Sequence, residues 1–274
     1  MRPRIFPSLC DPFEDWKGPI VDKRANGTLP RAITMNDLRR HFFGLIDKTP
    51  NLDWLLLTKR PENIMRMWPL ASDGTDSGEY DEKHLHNVWL LYSASDQETL
   101  EAGLHHLLAC RDLAPVLGMS LEPLLGPVDL TKVICESREC EPSSSPLAND
   151  WTHLWMDALT GFRATSMFSA TYGPQLDWVI VGGESGPDAR PCALEWIDDI
   201  RRQCQTSGVP CFIKQLGSNP VTTNANLWDA PDLGKFIGAS WGNTVAGCRI
   251  NLDDPKGGDP SAWPEDLRVR EFPR

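Results

Sequence analysis

No uninterrupted apolar run in the chain approaches the ~18–20 residues that a membrane span requires. The start, Met1-Arg2-Pro3-Arg4 leading into Ile5-Phe6-Pro7, is too short for a secretory h-region. Both absences make the cytoplasm the expected compartment. CxxC is missing too: the eight cysteines stand at 10, 110, 135, 140, 192, 204, 211 and 248. The closest pair, Cys135 and Cys140, has four residues between them, whereas structural zinc asks for four converging ligands. Unligated thiols, buried or incidental, and no metal site are the expectation. Nor do the histidines show ligand spacing, with His84 and His86 in a loop and His105-His106 mid-helix, so a hydrolytic metal centre lacks support. The absence of G-x-S-x-G argues against serine hydrolysis. An excess of positive charge is lacking as well. A net charge of −11 argues against a broad phosphate-binding surface, and composition does not support nucleic acid as a partner.

Ordinary globular usage is present, with 41% hydrophobic and 24% charged residues, enough for a core without staples. Arg4–Leu9 reads as a strand ending at a polar loop with Asp11. A helix is predicted over Met35–Asp47, capped by Thr34, with Leu38, Phe42, Leu45 and Ile46 at helical spacing. Leu52–Leu57 is a near-continuous apolar run, as suits a strand buried on both faces. Pro61 can open a helix over Glu62–Trp68. Residues 71–82 read as a polar loop. Strands follow at Asn87–Tyr92, Pro115–Leu121, Asp177–Val181 and Val209–Ile213, with helices over Asp96–Cys110 and Leu194–Thr206, the latter stopped by Gly208. Residues 131–174 look like an insertion and the chain from about 217 like an irregular tail, both within one domain spanning 1–274. Six strands alternating with helices predict a parallel sheet with right-handed crossovers, either open and doubly wound or closed into a barrel.

In such folds the ligand site lies at the carboxyl ends of the strands. Here those ends carry Ser8 and Asp11, Thr58-Lys59-Arg60, Ser93 with Ser95, Ser120 with Glu122, Gly182-Gly183-Glu184-Ser185, and Lys214-Gln215. Together they predict a polar cleft for a small-molecule or nucleotide-like ligand. Each has a plainer alternative. Thr58–Pro61 suits a solvated strand end, and Glu122 suits a helix cap or a partner for Lys59. Gly182-Gly183 suits either a tight turn using positive φ or close approach of a ligand to free backbone amides. The spacing GGESG is not G-x-G-x-x-G, and no lysine follows as a phosphate loop requires. Lys214 suits either a buried amine or a salt bridge to Glu122 or Glu184.

The strand ends also form an ordered series: Ser8–Phe13, Leu56–Pro61, Asn87–Leu90, Ser120–Pro127, Asp177–Gly186 and Phe212–Gln215, with a tail of Lys256–Asp259 and Trp263–Arg270. This series resembles the phage gene-product 37 / gene-product 68 family, a three-Cys-motif domain of unknown function related to the radical-SAM enzymes. The resemblance covers nearly the whole chain and implies an α/β fold, a partial (β/α) barrel of the radical-SAM type with parallel strands, its first strand missing. It also implies S-adenosylmethionine and a four-iron four-sulfur cluster held by three thiolates near the N-terminus. None of the eight cysteines reproduces that motif. The expectation is therefore a radical-SAM-like protein of unknown substrate, N-terminally truncated and not competent for SAM cleavage as given. By resemblance, Ser8, Asp11, Thr58, Lys59, Arg60, Ser93, Ser120, Glu122, Gly182, Gly183, Glu184 and Lys214 line its cleft. Gly182 and Gly183 would admit SAM, Glu122 or Glu184 would hold its amino group, and Lys59 and Arg60 its carboxylate or a substrate phosphate. The segment Leu90–Asp96 departs from relatives, which carry a glycine near Leu91 and an acid near Ser95, and this puts a contact from that strand in doubt. The alternatives are a non-catalytic binding protein using the same cleft and a cluster-independent enzyme using Lys214 and an acid.

Overall fold

The computed structural model describes residues 2–7, 10–18, 20–22, 27–28, 33–69, 85–135, 154–166, 169–223, 233–237 and 247–273. The expected loop over 71–82 lies outside the described residues.

Six strands form one hydrogen-bonded sheet in chain order: β1 (Arg4–Ile5), β2 (Asp53–Thr58), β3 (Val88–Ala94), β4 (Val116–Leu121), β5 (Trp178–Gly182) and β6 (Cys211–Gln215). The registers place β1 parallel to β2, β2 to β3, β4 to β5 and β5 to β6. Parallel strands adjacent in space and consecutive in sequence are the topology of half a (β/α) barrel. Every residue of β3, β4 and β5 is buried, in keeping with their unbroken apolar runs. The chain divides into two compact units, 1–92 with 106–117, and 93–105 with 118–274.

In the first unit, helix α1 (Met35–Asp47) starts at a capping box in which Asp37 N–H donates to Thr34 Oγ1 at 3.2 Å and Thr34 N–H to Asp37 Oδ2 at 3.0 Å. The bounds are those expected, but the buried side chains are Arg39, Phe43 and Ile46, while Leu38 and Leu45 are exposed. Arg39 is drawn inward by polar partners. Its guanidinium donates to Pro12 O at 2.8 Å, Glu14 O at 3.0 Å and Asn36 Oδ1 at 2.6 Å. Phe13 stacks on Trp68 at 6.2 Å and Phe43 meets Trp68 edge-on at 5.3 Å, which closes the aromatic core beneath that loop. Beyond β2 the expected helix 62–68 resolves into a 3₁₀ turn, Pro61–Asn63, and one helical turn, Ile64–Met67.

In the second unit, helix α3 (Leu194–Ser207) packs on β5 and β6 and ends, as expected, at Gly208 in the left-handed conformation, φ 70°. It follows α2 (Gln97–Leu108) in the chain. The insertion carries an antiparallel meander of Val133–Cys135, Leu154–Met156, Phe162–Ser166 and Ser169–Tyr172. The segment after 217 is not irregular throughout. Pro220–Thr222, Gly247–Ile250 and Leu233–Ile237 join Cys192–Ala193 in another four-stranded sheet. The C-terminal segment then covers the edge of β6. Ile213 N–H donates to Val269 O at 2.9 Å, Glu271 N–H to Cys211 O at 2.8 Å, and Phe272 packs against Trp178 and Phe212. Covering an edge strand in this way removes a template for foreign pairing.

Candidate functional site

The polar strand ends fall into two sets, one per unit. In the first unit, Asp11 is an organiser. Its Oδ2 accepts from Thr58 Oγ1 at 3.0 Å and Lys59 N–H at 3.1 Å, while Oδ1 accepts from Phe13 N–H at 2.9 Å. Thr58 is buried, and its hydroxyl also accepts from Arg60 N–H at 2.9 Å. Asp11 and Thr58 therefore position the loop after β2. The Arg60 guanidinium reaches Glu14 Oε1 at 3.3 Å, and both groups are exposed. The Lys59 ammonium is exposed and has no partner among the described residues. Ser8 lies outside the described residues.

In the second unit, Lys214 Nζ lies 2.9 Å from Glu122 Oε2, with side-chain exposures of 50% and 17%. This corrects the buried-amine alternative: β6 carries Lys214 outward, between the buried Ile213 and Gln215. It also settles the partner of Glu122 as Lys214. Ser120 shares the register position of Ile180, two residues before Glu122, and is buried, as is Ser93 at the end of β3.

Glu184 is held by one partner. Arg190 donates to it from Nε at 2.9 Å, Nη2 at 2.8 Å and its backbone N–H at 2.8 Å. These hydrogen bonds from the Arg190 side chain and backbone bring the Glu184 carboxyl down to about 2. With both oxygens engaged, Glu184 is a fastener of its own loop.

Neither Gly182 nor Gly183 has positive φ, so turn geometry does not explain them. Space does. A Cβ on Gly182 would stand 3.0 Å from Gln215 O, and one on Gly183 would collide with Leu216 O. The close neighbour is the chain's own backbone. The Gly183 and Gly186 amides are not free to meet a ligand, because they donate to Gln215 O at 3.1 Å and Ser218 Oγ at 2.9 Å. Gly217, with φ 91°, faces Gly183, and a Cβ on Gly257, with φ 59°, would stand 2.7 Å from Gly217 O. Three glycine segments far apart in sequence thus pack backbone on backbone.

That packing borders a concavity of about 560 Å³ lined by, among others, Pro187, Pro220, Arg249, Ile250, Leu252 and Lys256. None of the residues expected from sequence lines it. In the sequence only the Lys256–Asp259 segment of its lining stood out, and nothing local pairs that segment with Gly217.

Among the described residues, Cys10, Cys110, Cys192, Cys204, Cys211 and Cys248 are free thiols. Among the described residues no three His, Cys, Asp or Glu side chains converge to hold a metal ion. Burial pushes the Cys192 thiol up to about 12, and a hydrogen bond with Cys211 raises that of Cys204.

A family model described as "Protein of unknown function (DUF5131)" matches residues 29–247. No curated protein and no solved structure matches the chain.

Proposed function

The chain belongs to the DUF5131 family of proteins of unknown function, and we propose that it binds a small zwitterionic ligand at the carboxyl ends of β4–β6. The ligand carries an α-ammonium group and a carboxylate. The observation that carries the proposal is the Glu122–Lys214 pair, 2.9 Å apart and partly exposed, at the strand edge where parallel α/β folds bind ligands. With the lysine half-exposed, the pair lies toward the surface regime, in which an ion pair is worth only about 0–1 kcal/mol, so opening it costs little. A zwitterion replaces each partner with a charge of the same sign: its carboxylate meets Lys214 and its ammonium meets Glu122. Ser120, buried in β4, lies two residues before Glu122.

The resemblance to the phage radical-SAM-like family names a ligand of this class, since S-adenosylmethionine ends in an amino-acid group. The proposal keeps the ligand class and the cytoplasmic setting. It assigns the carboxylate to Lys214 and leaves out reductive cleavage, because none of the eight cysteines reproduces the cluster motif. The protein is thus read as a binder whose ligand is a small molecule.

Calorimetric titration with S-adenosylhomocysteine, a stable relative of that ligand, tests the proposal. Saturable binding is expected in the wild type, weakened about tenfold or more in both Lys214→Ala and Glu122→Ala. No binding by the wild type, or equal affinity in all three proteins, would sink it.

A further inference from the structure

We infer that the concavity between the Gly186–Ala189 loop, the start of Pro220–Thr222 and the 249–256 segment is a second binding site, for a small organic phosphate. It is independent of the Glu122–Lys214 reading. A volume of about 560 Å³ falls within the range of small-ligand sites and exceeds what an inorganic ion fills. Pro187, Pro220, Ile250 and Leu252 give it apolar walls. Two cations, Arg249 and Lys256, stand on those walls. In a chain of net charge −11, an acid would ordinarily neutralise them, but Asp188 and Asp253 are exposed and do not line the concavity, and the two remaining acids beside it are held by other donors. Glu184 is taken up by Arg190. Asp254, which also lines the concavity, accepts from the Lys256 and Gly258 amides, one on each oxygen. Among the described residues the Arg249 guanidinium makes a single hydrogen bond, from Nη2 to Ser218 O at the long distance of 3.3 Å, and the Lys256 ammonium makes none. A guanidinium and an ammonium without an ion-pair partner among the described residues, around one apolar hollow, match a phosphate monoester dianion attached to an uncharged body. The floor is rigid, because Gly183, Gly217 and Gly257 interlock and Leu216 N–H donates to Gly257 O at 2.9 Å.

The test uses AMP and ribose 5-phosphate as probes, with adenosine as the uncharged control, in calorimetric titrations of the full chain. Either phosphate ester is expected to bind saturably at one site per chain, and adenosine is not. Arg249→Ala and Lys256→Ala should each weaken binding about tenfold, and the double charge reversal Arg249→Glu/Lys256→Glu should abolish it. Both side chains are exposed, so thermal melts should confirm that each variant is folded. Absence of binding by both esters, binding of adenosine as tight as that of AMP, or unchanged affinity in the folded variants would overturn the inference.

Discussion

Lys214 and Glu122 meet at 2.9 Å although they leave strands that are not neighbours: β5 lies between β4 and β6 in the sheet. At about 4.8 Å per strand, the two backbones stand roughly 10 Å apart. Only long side chains reaching toward each other over the end of β5 close that distance, and β5 ends there in Gly182, which has no side chain. The contact is thus long in reach, partly solvated and easily exchanged.

Its contribution to stability should be small. Lys214→Ala or Glu122→Gln is expected to lower the free energy of unfolding by less than about 1 kcal/mol, as read by urea denaturation. A loss of several kcal/mol would mark the pair as structural and leave it unsuited to exchange.

The glycines differ in what they do, and alanine should separate them. Gly183→Ala forces a Cβ into Leu216 O, and Gly217→Ala adds φ 91° strain to contacts of 2.8–2.9 Å with Glu184 O and Gly183. Each should cost about 1–3 kcal/mol or more. Gly44 lies inside α1 with nothing within 4 Å of its missing Cβ. Gly44→Ala should therefore stabilise by about 0.5–1 kcal/mol. Denaturation midpoints of the three variants check the contrast.

Asp11→Ala removes the one carboxylate that accepts from Phe13 N–H, Thr58 Oγ1 and Lys59 N–H. A loss of about 1–3 kcal/mol is expected. Because the contacts order the loop after β2, amide exchange at Phe13 and Lys59 should also accelerate. Unchanged exchange would show that the loop holds without Asp11.

The Glu184–Arg190 contact sets a pH dependence. The folded carboxyl titrates at about 2, below its ordinary 4.5. The folded state therefore binds fewer protons than the unfolded chain between those values, and stability falls as the pH drops through that window. The contribution is complete above about 4.5 and gone below about 2. Carboxyl ¹³C titration of Glu184 should show the low midpoint in the wild type and a return toward the ordinary value in Arg190→Ala.

Much of the scaffold was legible from the chain. Unbroken apolar runs such as Leu55–Leu57 and Val179–Val181 mark buried parallel strands because both faces of such strands are covered. Thr34 and Gly208 mark helix ends because capping is local chemistry. The buried face of α1 was not legible, since Arg39 is buried through carbonyls of Pro12 and Glu14, which no periodicity in the helix encodes. The insertion and tail strands escaped for a related reason: three- to five-residue antiparallel strands such as Leu154–Met156 take their order from partners, and too few residues show the alternation. At the site, residue types pointed to the strand ends, and the Lys214–Glu122 bridge was among the open alternatives. What Gly182-Gly183 accommodates depended on Gln215 and Leu216, more than thirty residues on, and so required coordinates.

The most direct test of zwitterion exchange is one paired titration on the wild-type protein, with S-adenosylhomocysteine against its decarboxylated analogue. The analogue keeps the nucleoside, thioether and amine and lacks only the carboxylate assigned to Lys214. The account predicts that the analogue binds about tenfold or more weakly. Equal affinity for the two would contradict it.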